Sequence, residues 1–346
     1  MYVPAERLFC FRLRRPERRD VLEGLSPRYT AIVLIGLRDE VSAVGREVFG
    51  SHEAADVCAA LARRLHDSDR LGDVALGLWA SRLWDVKSAG DLRRQLESMD
   101  PTRGPHPTVE LAWALTAASV RPALAGSDEG LARRLADQLM SRRSPASGLF
   151  AHAPATARGS RLRGHVCCFA DWVYPVQALA HFYALTGDER AREAACKAAR
   201  VMCSLQGDAG QWWWHFDVRT ARVVERYPVY AVHQDGMAPM ALFDLEETCA
   251  VSHRAAIDRG MAWLYRPAES GTSLIDEPAG VIWRKVARKE PGKLSRSLQA
   301  AASRLHSGFR VPLLDTLFPP GEIDFECRPY HLGWLLHAWP ERRLKT

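Results

Sequence analysis

The feature that most constrains this chain is a recurrent alternation between two kinds of helical segment. Six stretches of small and large apolar residues are apolar nearly all round and are entered through a polar or aromatic residue. They begin at Tyr29 (YTAIVLIGL), Gly72 (GDVALGLWA), Thr108 (TVELAWALTA), Tyr174 (YPVQALAHFYAL), Met237 (MAPMALFDL) and His331 (HLGWLLHAW). A helix without a polar face has to be buried on most sides. Between them lie amphipathic segments from Ser51, Ser88, Ser127, Gly187 and Ser252, with a sixth from Lys293 that precedes the last apolar helix. Four of these open on Ser and one carries Asp188 just after Gly187, which suits helix N-caps. Inner helices alternating with outer ones predict an all-α fold, an (α/α)6 barrel or toroid of about six helical hairpins. One such unit uses residues 1–346 as a single domain, with 1–28 as an N-terminal extension packing on the barrel.

Two interruptions stand out. Residues 144–170 are rich in Gly, Ala, Ser and Arg and read as a long loop. Residues 211–231 read as an inserted β-hairpin that turns around Arg219, Thr220 and Ala221. Both lead into the start of an apolar helix, so both belong over the same rim of the barrel. Long loops in compact domains usually serve function.

Three clusters of polar and aromatic residues fall at that rim. The first holds His165, Asp171, Trp172 and Tyr174; the second Trp212, Trp213, Trp214, His215, Asp217, Tyr227, Tyr230, His233, Gln234 and Asp235; the third Asp324, Glu326, Arg328, Tyr330 and His331. Asp235 and Asp171 each stand at a helix start, where a carboxylate serves either as a cap or as a general acid or base. His233 is placed to tune Asp235, and Glu326 or Asp324 is a third carboxylate candidate. Trp212, Trp213 and Trp214 cannot all enter one core; in a strand Trp212 and Trp214 face one way and Trp213 the other. Their indoles suit stacking on sugar rings, as do Trp172, His215, Asp217, Tyr230, Gln234, Tyr330 and His331 for the rest of a binding surface, with Arg328 as a carboxylate clamp. Asp324, Glu326, Cys327 and His331 include metal-ligating types at no recognised zinc spacing, so no metal and no cofactor is expected.

The remaining bulk properties narrow the class. The formal charge is +6, from 47 Lys and Arg against 41 Asp and Glu, concentrated at Arg12–Arg19 and from Arg284 to Arg296. That pattern reads either as solvated surface or as a site for an anionic small molecule or polymer; no recognition helix accompanies it, so nucleic acid is not expected. Eight cysteines without a CxxC pair read as reduced, mostly buried thiols. No apolar run approaches a membrane span and the first residues show no secretory pattern, which predicts a cytoplasmic location. The oligomeric state is not legible.

Two resemblances bear on this reading. Ala191–Trp212 (AREAACKAARVMCSLQGDAGQW) resembles the QW repeat of terpenoid cyclases and protein prenyltransferases, with Gln206, Gly210 and Trp212 in Q-x(3)-G-x-W order. In that family the repeat fastens an outer helix to the next turn. The DxDD acid signature of class II cyclases is missing, and only Asp235 stands where a similar proton donor could sit. Ala178–Ala195 (ALAHFYALTGDERAREAA) resembles a helix pair of six-hairpin sugar enzymes built on α/α barrels. This resemblance implies a carbohydrate-active enzyme: a glycoside hydrolase, uronate lyase or sugar epimerase working by carboxylate and histidine acid–base chemistry. The alternatives are a cyclase acting on an isoprenoid and a non-catalytic binding or scaffold protein.

Overall fold

A computed structural model describes residues 1–340 except 17–18, 41, 121–128, 155–162, 291 and 293. In chain order the helices are α1 (Pro27–Gly36), α2 (Ser42–Phe49), α3 (Ala54–Leu65), α4 (Leu71–Leu83), α5 (Ala89–Ser98), α6 (Thr108–Ser119) and α7 (Glu129–Ser141). They continue as α8 (Ala170–Thr186), α9 (Glu189–Ser204), α10 (Ala238–Cys249), α11 (Arg254–Tyr265), α12 (Leu294–Leu305), α13 (Leu314–Leu317) and α14 (Pro329–Ala338). The six apolar segments are α1, α4, α6, α8, α10 and α14, and they pack in that order into a closed ring, α14 returning to α1. Nearly every residue of α4 and α6 is buried, as an all-round apolar surface requires. Outside the ring, α3, α5, α7, α9 and α11 each pack on the inner helix before or beside them. The result is the expected α/α toroid.

Ring closure rests on glycine. A Cβ on Gly36 would lie 2.1 Å from the Gly333 carbonyl oxygen, so α1 and α14 approach closer than any larger residue permits. The closure is reinforced by strands. Of β1 (Tyr2–Val3), β2 (Leu8–Arg14) and β3 (Val21–Leu25), the middle strand pairs with a late strand, Glu326–Cys327, that leads into α14. The N-terminal segment thus ties the two ends of the ring together.

The inserted hairpin is present and gains a third strand. β4 (Val166–Cys168), from the long loop, pairs with β5 (His215–Asp217), which pairs with β6 (Arg222–Glu225); Ala221 takes a positive φ at the turn. After β7 (Val229–Tyr230), β8 (Ile275–Asp276) and β9 (Val281–Ile282) come β10 (Lys285–Arg288), β11 (Pro320–Asp324) and β12 (Glu326–Cys327). β10 lies between β11 and β7, which brings the second basic stretch against the hairpin.

Three expectations need correction. Ser51 and Ser252 do not cap: α3 and α11 begin further on, with Glu53 and His253 at their cap positions. Ser88 sits at the cap of α5 without a side-chain bond, whereas Asp188 does accept from the Arg190 amide at 3.0 Å; the Ser127 cap lies outside the described residues. The sixth amphipathic segment forms α12, but it packs on β6 rather than behind α14.

Candidate active site

The N-terminal ends of α1, α4, α6, α8, α10 and α14 form one rim. On α1, Arg28 pairs with Asp73 of α4 and, at 3.1 Å, with Glu110 of α6, bridging three inner helices. Arg28 also lies over the ring of Trp113, which meets Tyr174 edge-on. Tyr29 lies 4.8 Å from Tyr330 between ring centroids, and its hydroxyl accepts from Arg328 at 2.9 Å. Arg284 and Arg328 stand within electrostatic reach of both Tyr230 and Tyr330. Phenols and guanidiniums therefore alternate round this side of the mouth.

Two histidine–carboxylate pairs sit in the same rim. Asp171, in the first turn of α8, is fully buried; it accepts from the Cys168 amide at 2.7 Å and from His152 Nδ1 at 3.0 Å to both oxygens. The His152 side chain is 59% exposed. The hydrogen bond and charge of Asp171 push its imidazole above the usual range. Asp235 accepts from His331 Nε2 at 2.8 and 2.9 Å, both residues being buried. Asp235 belongs to a π-turn, His233–Met237, where Ala238 N–H bonds to the His233 carbonyl. Pro239 explains the local winding: it has no N–H to offer the Asp235 carbonyl four residues back, and the Trp339 indole takes that oxygen instead at 2.7 Å.

The structure brings the three sequence clusters together but redistributes their roles. The partner of Asp235 is His331, not His233. His233 stacks on Phe169 at 4.3 Å, and burial pushes it down to about 3, so it is neutral. Glu326 is not a free acid: it is held by Arg12 (3.1 Å), Arg284 (3.1 Å) and Arg328. Burial would raise its pKa, yet Arg284, Arg328 and Arg12 bring it below the ordinary carboxylate range. Glu326 therefore orients three arginines, and Asp324 pairs with Arg284 and Lys285.

Of the three tryptophans, only Trp214 is not buried. Trp212 is core, packed near Phe169 and against Gly260; Trp213 is buried on the far side against Tyr227 under Arg226. Trp214 is half-buried, stacked on His215 at 4.1 Å and edge-on to Tyr230, with Arg296 lying 5.0 Å from its ring centroid. Trp172 is core, and Gln234 is spent on the Trp212 amide and the Tyr230 carbonyl. Asp217 serves the hairpin turn through Arg219 and Ser307. His215 is buried, and burial with Arg163 and Arg296 nearby holds it well below the usual imidazole range.

Residues absent from the sequence-level site are His152, Arg28, Asp73, Glu110, Tyr29, Arg284 and Arg296. Arg28–Tyr29 before an apolar helix was the available signal for two of them; His152, in an aperiodic loop, had none. Of the possible metal ligands, Asp324, Glu326 and His331 are taken up in the ion pairs above and Cys327 is a buried thiol. The group with ligand spacing among the described residues is His152, Cys168 and Asp171, whose donor atoms lie within 4.8 Å of one another. Burial and the Asp171 charge push the Cys168 thiol well up, so the trio is held together by hydrogen bonds with the thiol protonated.

The QW-like segment works structurally. Gln206 Nε2 donates to the Gly210 and Ala256 carbonyls, and its Oε1 accepts from Arg259. At Gly210 (φ +96°) a Cβ would lie 2.0 Å from the Arg259 carbonyl oxygen. Gln206, Gly210 and Trp212 thus fasten α9 to α11.

No protein-family model matches the chain, and no curated protein matches it. Among solved structures, it is similar over its whole length to an unsaturated glucuronyl hydrolase specific for heparin, at TM-score 0.59 and 16% identity, covering 92% of that chain. It is similar to the cellobiose 2-epimerase of Bacillus thermoamylovorans at TM-score 0.57 and 11% identity, over 87% of this chain and 93% of that one. A family 105 glycoside hydrolase of C. acetobutylicum aligns at TM-score 0.55 and 12% identity, over 90% and 92%. What the chain shares with them is the α/α-toroid fold.

Proposed function

We propose that this protein is a carbohydrate-active enzyme that transfers protons at a saccharide bound in the barrel mouth. The observation that carries the reading is the His152–Asp171 pair, a buried carboxylate orienting an exposed imidazole beside an aromatic and guanidinium-lined rim. Asp171 holds the ring and favours its protonated form, so His152 is the group that meets the substrate as acid or base. Asp235, backed by His331, is the second carboxylate. Trp214 offers a stacking face, and Tyr29, Tyr230 and Tyr330 offer hydroxyls at the same mouth. Hydrolysis, elimination and epimerisation of a sugar all use positioned acid–base groups, and hydrolysis adds a second carboxylate as base or nucleophile. The names of the similar structures, two hydrolases and an epimerase of saccharides, support the class. The isoprenoid reading rests on the QW-like segment alone, and that segment fastens two outer helices.

A thermal-shift screen of neutral and uronate-containing oligosaccharides against prenyl diphosphates and polyenes tests this. Stabilisation by a saccharide, lost in Trp214→Ala, is expected. Stabilisation by isoprenoids alone would overturn the reading.

A further inference from the structure

The helix that the toroid does not use, α12, is turned inside out. Its buried face is polar and small: Ser295, Gln299, Ala300 and Ser303. Its leucines face solvent. Leu294, Leu298 and Leu305 fall within about 40° of one another at roughly 100° per residue, so they form one stripe. All three are exposed, Leu305 to 91%. Further along the chain Phe309, Leu313 (70%) and Leu317 (67%) are also exposed, the last in α13.

The helix cannot simply roll its leucines inward, because its polar face is engaged. Gln299 donates to the Phe309 carbonyl and accepts from the Val311 amide at 3.0 Å. Ser303 Oγ bonds His165 Nε2 at 2.9 Å, and its carbonyl accepts from Arg219 at 3.0 Å. Six exposed large apolar side chains on one short segment exceed the scattered exposure normal for a surface.

The charges around the stripe select the occupant. Residues 289–318 carry five Lys and Arg against two Asp and Glu. Both acids are engaged: Glu290 accepts from the Ser295 amide at 2.7 Å, and Asp315 pairs with Arg288 at 2.7 Å. Lys289, Arg304 and Arg310 are exposed in the same segment as the leucines. A second copy docked face to face on a two-fold axis would set these cations against their own equivalents. An anionic surface neutralises them while the leucines leave water. We propose that the α12–α13 face docks on an anionic lipid surface, as a monotopic contact made by Leu294, Leu298, Leu305, Phe309, Leu313 and Leu317 with Lys289, Arg304 and Arg310. No described helix is long and apolar enough to cross a membrane, so the contact is interfacial. Arg296, on the opposite face of the same helix, lies over Trp214, so the docking face and the barrel mouth are on opposite sides of α12. The docking surface stands independently of the chemistry proposed for that mouth.

Vesicle flotation tests this with the full chain. Wild type is mixed with phosphatidylcholine vesicles or with vesicles containing phosphatidylglycerol, at low and high salt. The expected result is flotation with the anionic vesicles that weakens in salt, and partitioning reduced about tenfold or more in Leu298→Ser/Leu305→Ser/Leu317→Ser. These positions are exposed, so the variant should keep the wild-type melting temperature. Arg304→Gln/Arg310→Gln should reduce the preference for anionic over neutral vesicles. Absence of vesicle binding, or equal binding by wild type and the leucine variant, overturns the proposal. So does a wild-type dimer in size-exclusion chromatography that the leucine variant dissolves without vesicle binding by either.

Discussion

Replacing His331 with Leu removes the only side chain among the described residues that bonds the Asp235 carboxylate, while leaving that carboxylate buried. Breaking a buried pair from one side costs about 3–5 kcal/mol, because the remaining charge loses its partner without regaining water. For 346 residues the unfolding entropy is about 0.7 kcal/mol/K, so the loss corresponds to about 4–7 °C in melting temperature. Adding Asp235→Asn removes the stranded charge and leaves only a neutral amide, whose unmet hydrogen bonds cost about 1–3 kcal/mol. The double variant should therefore recover roughly 2 kcal/mol relative to His331→Leu. Differential scanning calorimetry of wild type, both single variants and the double variant at one pH closes the cycle. A His331→Leu variant within about 1 °C of wild type, or two losses that simply add, would refute a coupled buried pair.

Other outcomes follow from the same geometry. His152→Gln should cut turnover of a bound saccharide by about 100-fold or more with little change in melting temperature, measured by product formation. If the His152 imidazolium is the donor, wild-type turnover declines as pH rises through its raised pKa. The stability from its pairing with Asp171 follows the same sign, present below the ordinary imidazole value of about 6.5 and lost as pH climbs past the raised one. His233 behaves oppositely. Held down to about 3 by burial, it binds no proton where the unfolded chain does, so stability falls as pH drops from about 6.5 toward that value. His233→Phe should flatten that acid limb by about 1.4 kcal/mol per pH unit, read from urea midpoints at several pH values. Gly36→Ala should cost about 3 kcal/mol by forcing α1 from α14, measured by thermal melting.

The ring of inner helices was legible because burial on most sides leaves its mark in nearly every residue of α4 and α6 and in the first two-thirds of α8. The outer helices were legible from their periodicity, but their starts were not, since a nearby serine such as Ser51 or Ser252 says nothing about whether its hydroxyl reaches the first turn. At the site, Asp171 and Asp235 could be picked out as acids at the head of apolar helices. Their partners could not. His152 lies in a loop without periodicity, and His331 meets Asp235 only because α14 closes the ring beside the π-turn. The tryptophan run was informative in number but not in role: two of the three fill seams, and Trp214 alone stays part-exposed. The basic stretches also hid their use, because Arg12, Arg284 and Arg328 converge on Glu326 only after β12 has paired with β2. In α12 the pattern marked an amphipathic helix, and only the contacts of Gln299 and Ser303 reveal that its apolar side faces out.

The most direct test of the central claim is proton NMR in D2O of a saccharide that stabilises the protein, followed with wild type, His152→Gln and Asp235→Asn. The account predicts one proton-transfer signature with wild type: a new reducing end, a vinyl proton, or deuterium exchange at a ring carbon. It predicts loss of that signature in both variants while each still binds the sugar. A spectrum unchanged by wild-type protein at saturating saccharide, or turnover undiminished in both variants, would contradict it.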